Sequence, residues 1–370
     1  VTQGTWTMDE QTSQSMSLPK IIEEFNPAWF AAVMGTAVVP LAVSFLDPTI
    51  SRPIAAIFIV MSVAMFVAAL VPWTLRFFMY PDAIRRDLSH PIAGAFFPTM
   101  PIALIIIGLN LLKYPDLFAS PATSHAIAWW LWIVGSVGIY VLGFNVLQRV
   151  YHSQAVDLTH AGFGWYIPPV SKLLIPVAGF ELAVIYPDRF EFAFGLSMIS
   201  FGVGFFLFMF VAALVYQRYM LESLPASRLA ATSFISVAPT AIIAVALFKL
   251  MHLFEANPAF GIDPNAVAAF SKLGIIATWG FSLWAFAMAL LIVTSHALRS
   301  ELPYALSWWA FTFPSGALAV ATGVTWKVTD FTSVHWFYWF TVVFLLVVGA
   351  VVAARTVRAM ITRQVFIPAH

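Results

Sequence analysis

The chain has no cysteine, which excludes a disulfide framework, a thiolate metal site and a cysteine nucleophile. It is also poor in charge: Asp, Glu, Lys and Arg make up 9% of its 370 residues, where a soluble globular chain carries about a quarter. There is no basic run of the kind that holds nucleic acid, and the formal net charge is +1. The chain also lacks an H-E-x-x-H pair, a G-x-S-x-G elbow and a phosphate-binding glycine loop. Its eight histidines (His90, His125, His152, His160, His252, His296, His335, His370) lie mostly at the ends of apolar runs or between them. None is paired with an acid at helical spacing inside a run, so neither an enzyme nor a resident cofactor or metal is expected. What the chain does have is hydrocarbon: 61% of its residues are hydrophobic, the composition of a polytopic membrane protein.

Ten apolar segments are long enough to cross a bilayer: residues 27–46, 53–78, 91–112, 126–150, 166–186, 192–219, 229–253, 266–298, 303–326 and 334–360. Residues 1–25 are polar and acidic, without the basic and apolar regions of a cleavable signal. They read as a cytoplasmic tail with a short interfacial piece near 21–25. Residues 26–360 read as one ten-helix transport domain and 361–370 as a second cytoplasmic tail. Eleven basic residues (Lys20, Arg76, Arg85, Arg86, Arg149, Arg218, Arg228, Arg299, Arg355, Arg358, Arg363) flank the spans on the N-terminal side of the bilayer, against five (Arg52, Lys113, Arg189, Lys249, Lys327) on the other. That asymmetry puts both termini in the cytoplasm, with the plasma (inner) membrane as the expected location.

Prolines fall at mid-span in every odd segment: Pro40, then Pro98 and Pro101, then Pro176, Pro239 and Pro314. In four of the five, a proline lies about ten residues from the start of the span, roughly half of a hydrocarbon core of about 30 Å. A proline at that depth removes a backbone hydrogen bond and kinks or breaks the helix. Lipid does not tolerate the freed carbonyls, so the broken helices belong inside, ringed by the even ones. The odd spans recur every 65–75 residues or so, giving five hairpins that no two-fold axis can halve. The expected fold is all-α, with five hairpins in a quasi-five-fold ring around a central pore.

Charge inside the spans is confined to a few positions. Lys172 lies a third of the way into span five and is expected either to line the pore or to snorkel to the interface. Glu181, further along the same span, reads as an interfacial or inter-helix partner. Lys249 and Lys272 are close enough to the outer ends to snorkel. The odd spans otherwise offer hydroxyls, among them Thr36, Thr99, Ser171, Ser236, Thr240, Thr312 and Ser315, as pore-lining candidates or as plain inter-helix bonds. Helix N-termini at the breaks favour anions.

Several motifs resemble those of the tellurite-resistance/dicarboxylate transporter family, which includes the bacterial TehA proteins, the slow-type anion channels of plant guard cells, and yeast malate and sulfite transporters. The run Trp308-Trp309-Ala310-Phe311-Thr312-Phe313-Pro314 is similar to its ninth helix, and Phe25-Asn26-Pro27-Ala28-Trp29-Phe30 with Met34-Gly35-Thr36 resembles the first-helix motif of its malate and sulfite branch. Tyr166-Ile167-Pro168-Pro169-Val170, Ala231-Thr232 with Ala238-Pro239, and His90-Pro91 resemble positions in helices five, seven and three. The likeness covers about residues 26–360. It implies ten helices in five hairpins, one pore per subunit, a homotrimer, and Phe313 as the residue that blocks the pore. The function it implies is gated transport of small anions, leaning to C4-dicarboxylates such as malate. The alternatives are an inorganic-anion channel (chloride, nitrate, sulfite) or a proton-coupled dicarboxylate symporter.

Overall fold

The computed structural model describes residues 18–89, 93–152, 160–222, 224–299 and 301–362. Most of the N-terminal tail, His90-Pro91, Arg363 and nearly all of the C-terminal tail lie outside the described residues. Within them the chain is helical, in twelve α-helices: α1 Leu18–Glu23, α2 Trp29–Val43, α3 Pro48–Met79, α4 Pro81–Ser89, α5 Thr99–Lys113, α6 Pro121–His152, α7 Ile167–Ile185, α8 Phe190–Leu221, α9 Ala238–Ala256, α10 Pro264–Leu298, α11 Thr312–Thr329 and α12 Thr332–Ile361. Eight segments are long and apolar enough to cross a membrane, and they match the expected spans two to eight and ten. The other two expected spans differ. Helix α2 has 15 residues, about 22 Å at the helical rise and short of the hydrocarbon thickness. Helix α11 is rich in Thr and Gly. Both are almost wholly buried, so protein rather than lipid surrounds them.

The five hairpins are α2–α3, α5–α6, α7–α8, α9–α10 and α11–α12, each an extensively packed pair. The first member of each is the buried one. In the most apolar windows, 78–83% of residues are buried in the spans containing α5, α7 and α9, against 22–39% in those containing α3, α6, α8, α10 and α12. The inner helices also contact one another in cyclic order: α2 on α5, α5 on α7, α7 on α9, α9 on α11, and α11 back on α2. Their outer partners show bare Ile, Val, Leu and Phe, the surface that a bilayer covers.

Two hairpins are closed by the same device. Asp47 caps α3 by accepting from the Thr49 N–H at 2.8 Å, with Pro48 in the first turn. Asp263 caps α10 through the Asn265 N–H at 3.0 Å, with Pro264 in the same place. A carboxylate N-cap followed by proline is a strong helix start.

The prolines act differently from the expected mid-helix kinks. Only Pro40 and Pro176 of the six lie beyond the first turn of an α-helix. Pro98 is the residue before α5 and Pro101 is in its first turn. Pro239 is the second residue of α9 and Pro314 the third of α11. A proline in the first turn of an α-helix is well tolerated, because its fixed φ suits that position. The break is instead a change of helix type. Stretches of 3-10 helix (Gly94–Phe96, Phe163–Tyr166, Ser227–Val237, Leu306–Phe311) precede α5, α7, α9 and α11. Each odd span but the first therefore begins as a tighter 3-10 stretch and continues as an α-helix.

Arg76 fastens the first hairpin. It is buried at the end of α3, where Nε donates to the Glu23 carbonyl at 2.7 Å, one terminal nitrogen to Phe25 at 3.0 Å and the other to Asp87 at 2.6 Å. The polypeptide entering α2 is thereby tied to α3 and α4.

Candidate functional site

A cavity of about 40 Å³ lies among the 3-10-to-α junctions. Every inner segment contributes to its wall: Ala31 and Met34 from α2, Thr99 and Ile102 of α5, Ile167 and Val170 of α7, Ala238 of α9, and Phe313 and Pro314 of α11. Thr99, Ile167 and Ala238 are the first residues of their helices, and Phe313 is the second of its own. Phe96, Ile235 and Trp309 add ring and branched side chains from the 3-10 stretches. Phe313 is 6% exposed and packs in the main apolar core.

Of the residues picked out by sequence, Thr99, Phe313 and Pro314 line this cavity. Thr36 and Thr312 face a different space, an apolar cleft that opens sideways between α3 and α12. The remaining hydroxyls are engaged by backbone or by a neighbouring helix. Ser171 donates to the Pro168 carbonyl at 2.6 Å, Ser236 to Ser233 at 2.7 Å and Ser315 to Phe311 at 2.6 Å. Thr312 donates to Trp309 at 2.7 Å, and Thr99 to Phe96 at 2.6 Å and Pro27 at 3.1 Å. Thr240 bonds Ser282 of α10 at 2.8 Å. The mechanism is local: at a 3-10-to-α junction the ladder changes register, and a hydroxyl three or four residues on can reach a carbonyl the change leaves under-bonded. The hydroxyls are therefore part of how the junctions are built.

Pro40 and Pro176 sit beside a second set of partners. The Pro40 carbonyl accepts from Tyr114 Oη at 3.0 Å, and Asn110 of α5 donates to Ala37 at 2.8 Å. Next to Pro176, Trp132 of α6 donates its indole N–H to Ile175 at 2.9 Å. These bonds fasten α2 to the end of α5, and α7 to α6, beside the two prolines.

Lys172 does not line the cavity. Its side chain is 3% exposed, and its ammonium lies against Gly143 of α6 with no hydrogen-bond partner. It therefore neither faces the cavity nor snorkels. Glu181 is an inter-helix partner, as its position suggested, and the lysine it pairs with is Lys249 of α9, at 2.5 Å. Lys249 is thus held across the α7–α9 contact. Lys113, on α5, lies within Coulombic reach of Lys249, Glu181 and Lys327, so four of the five inner helices place charge toward their C-terminal ends.

Sequence reasoning met Met34, Val170 and Trp309 within motifs without marking them as wall, and passed over Phe96, Ile102 and Ile235, which are apolar residues among many. For those on spans three, five, seven and nine, the usable signal was nearness to the prolines that mark the helix junctions. A larger depression, of about 680 Å³, lies among the outer loops around Arg189 and Pro258, away from Phe313.

With this geometry in view, comparison with known proteins is informative. The family model described as SLAC1, voltage-dependent anion channel, matches residues 24–357. An uncharacterized transporter of Methanocaldococcus jannaschii is 30% identical over 361 residues, covering 94% of this chain and 96% of its own. A sulfite efflux pump of Arthroderma benhamiae is 24% identical, covering 81% of each chain. A malic acid transport protein of Schizosaccharomyces pombe is 22% identical, covering 95% of this chain and 82% of its own.

Proposed function

Because the chain belongs to the SLAC1 family of voltage-dependent anion channels, and so is a multi-pass membrane anion transporter rather than an enzyme, we propose that its five inner helices enclose a pore for small anions and that Phe313 closes it. The observation that carries this reading is the cavity at the helix junctions, to which every inner segment contributes and in whose wall Phe313 stands. A phenylalanine there is rigid and apolar, suited to dewet a narrow passage, and rotation about χ1 clears it. Attraction for anions comes from backbone. The inner segments run with their N-terminal halves on one side of the cavity, so the positive ends of their dipoles point the same way. Thr99 and Ser307 are the hydroxyl-bearing residues of the wall, and no lysine or arginine lines it.

The substrate is a small anion, with C4-dicarboxylates such as malate as the first class to test and sulfite as the second. Relatives named for each support both. The protomer carries its own pore and assembles as a homotrimer in the plasma membrane, with both termini cytoplasmic. This assembly and topology follow from the family resemblance and from the basic flanks. Flux in proteoliposomes decides the matter. Malate, sulfite and chloride uptake are compared for the wild type and Phe313→Ala. Unchanged flux in a folded variant would remove Phe313 as the gate, and strict dependence on a proton gradient would make the protein a symporter.

A further inference from the structure

A cleft of about 580 Å³ opens on the side of the molecule between α3 and α12. Its walls are Phe58, Met61 and Ala68 on one side and Leu345, Gly349 and Val357 on the other. Its floor is the inner layer itself, where Gly35 and Thr36 of α2 meet Trp309 and Thr312. Glycine lets α2 and α11 meet closely at this floor: a Cβ on Gly35 would clash with Thr312 Oγ1.

The chemistry of the cleft selects its occupant. Its lining is overwhelmingly apolar, and its polar atoms are already bonded within the protein. Thr36 donates to Ala32 at 2.9 Å, Thr312 to Trp309 at 2.7 Å, and Trp309 Nε1 to Thr356 at 3.1 Å, while Thr356 donates to Val352 at 2.7 Å. No hydrogen-bonding group of a ligand is wanted inside. The rims are membrane-facing, with Ile57, Val60 and Val67 of α3 and Val343, Val347 and Val351 of α12 exposed, so the cleft opens onto hydrocarbon. Along α12 it runs from Leu345 to Met360, about 22 Å at the helical rise. That exceeds half of a hydrocarbon core of about 30 Å, the depth of one leaflet. At the end near α1 its lining includes Ile21, and Lys20 beside it is exposed.

Trp309 links the cleft to the gate cavity, since it lines both. We propose that the cleft holds one acyl chain of a bilayer phospholipid, and that this chain steadies Trp309 and so keeps Phe313 in the closed position. The second half of this proposal rests on the gate reading above; the first half stands without it.

The test uses the full-length protein in vesicles of phosphatidylcholine and phosphatidylglycerol containing a trace phospholipid with a diazirine on its acyl chain, and adducts are mapped by mass spectrometry. The expected result is enrichment of label at Met61, Met65 and Val357 over lipid-facing residues of α8 and α10. A Cβ at Gly349 meets nothing within 4 Å, so Gly349→Phe can fill the cleft. It should cut that labelling by about tenfold and raise resting anion flux severalfold. Gly195→Phe, on α8 and equally open, should do neither, and Ala68→Phe fills the cleft from the opposite wall if Gly349→Phe does not fold. Label spread evenly over all lipid-facing helices would overturn the site, as would adducts joining the cleft to a second copy of the chain. Loss of label with unchanged flux would overturn the coupling, provided Phe313→Ala raises flux in the same vesicles. If Phe313→Ala does not raise flux, the gate reading fails and the acyl site is judged on labelling alone.

Discussion

Trp309 donates its indole N–H to Thr356 Oγ1 at 3.1 Å, and Tyr304 Oη donates to the same oxygen at 2.8 Å. One hydroxyl on α12 thus ties down both the approach to the 3-10 stretch Leu306–Phe311 and its middle, just ahead of Phe313. Thr356→Val keeps the shape and leaves two donors without an acceptor, a loss of about 1–3 kcal/mol. The thermal midpoint in detergent should fall, and resting flux should rise as Trp309 loosens. Thr356→Ser, which keeps the acceptor, should stay close to wild type.

Phe313→Ala removes the ring from the cavity wall. Flux of the transported anion should increase by an order of magnitude or more, about what removing a dewetted constriction provides. Phe313→Leu should fall between the two. Stopped-flow or electrode measurements on matched proteoliposomes give the comparison.

Gly35 and Gly316 set how closely α2 and α11 approach. A Cβ at Gly35 would fall on Thr312, and one at Gly316 on Val38. Gly35→Ala should therefore destabilise by about 1–3 kcal/mol through overpacking. The clash is with Oγ1 first, so Thr312→Ala should partly rescue Gly35→Ala while Thr312→Ser should not. A double-mutant cycle on thermal midpoints reads out the coupling.

Lys172 is a buried cation with no hydrogen-bond partner, set against Gly143 behind the inner layer. Lys172→Met replaces it with an apolar chain of similar length and should leave stability unchanged or raise it by about 1 kcal/mol. Anion selectivity should be unaffected. A selective loss of dicarboxylate flux would instead place Lys172 on the permeation path.

Arg76→Ala leaves the Glu23 and Phe25 carbonyls and the Asp87 carboxylate without their donor. The expected cost is about 2–3 kcal/mol. Arg76→Lys should recover only part of it, because three acceptors in different directions match a guanidinium fork better than an ammonium. Melting in detergent and proteolysis between α1 and α2 both report the loss.

The sequence by itself determined the membrane class, the hairpin count and which helix of each hairpin is buried. These follow from properties a residue carries with it: apolar length sets a span, and backbone irregularity marked by proline cannot face lipid. It also marked Phe313, through its place beside Pro314 and the family motif around it. Only the tertiary structure decided what the marked residues touch. Prolines read as mid-helix kinks in spans three, seven and nine lie at the starts of α-helices, because the preceding turns take the 3-10 form. Six of the seven hydroxyls picked out by sequence donate to carbonyls three or four residues back, and Thr240 bonds Ser282 of α10. Lys172 turned toward α6, and Trp309 came to stand between the cavity beside Phe313 and the lateral cleft. Periodicity can say which face of a helix is buried. It does not say which of several buried neighbours that face meets, because that depends on how five helices of different length and type close upon one another.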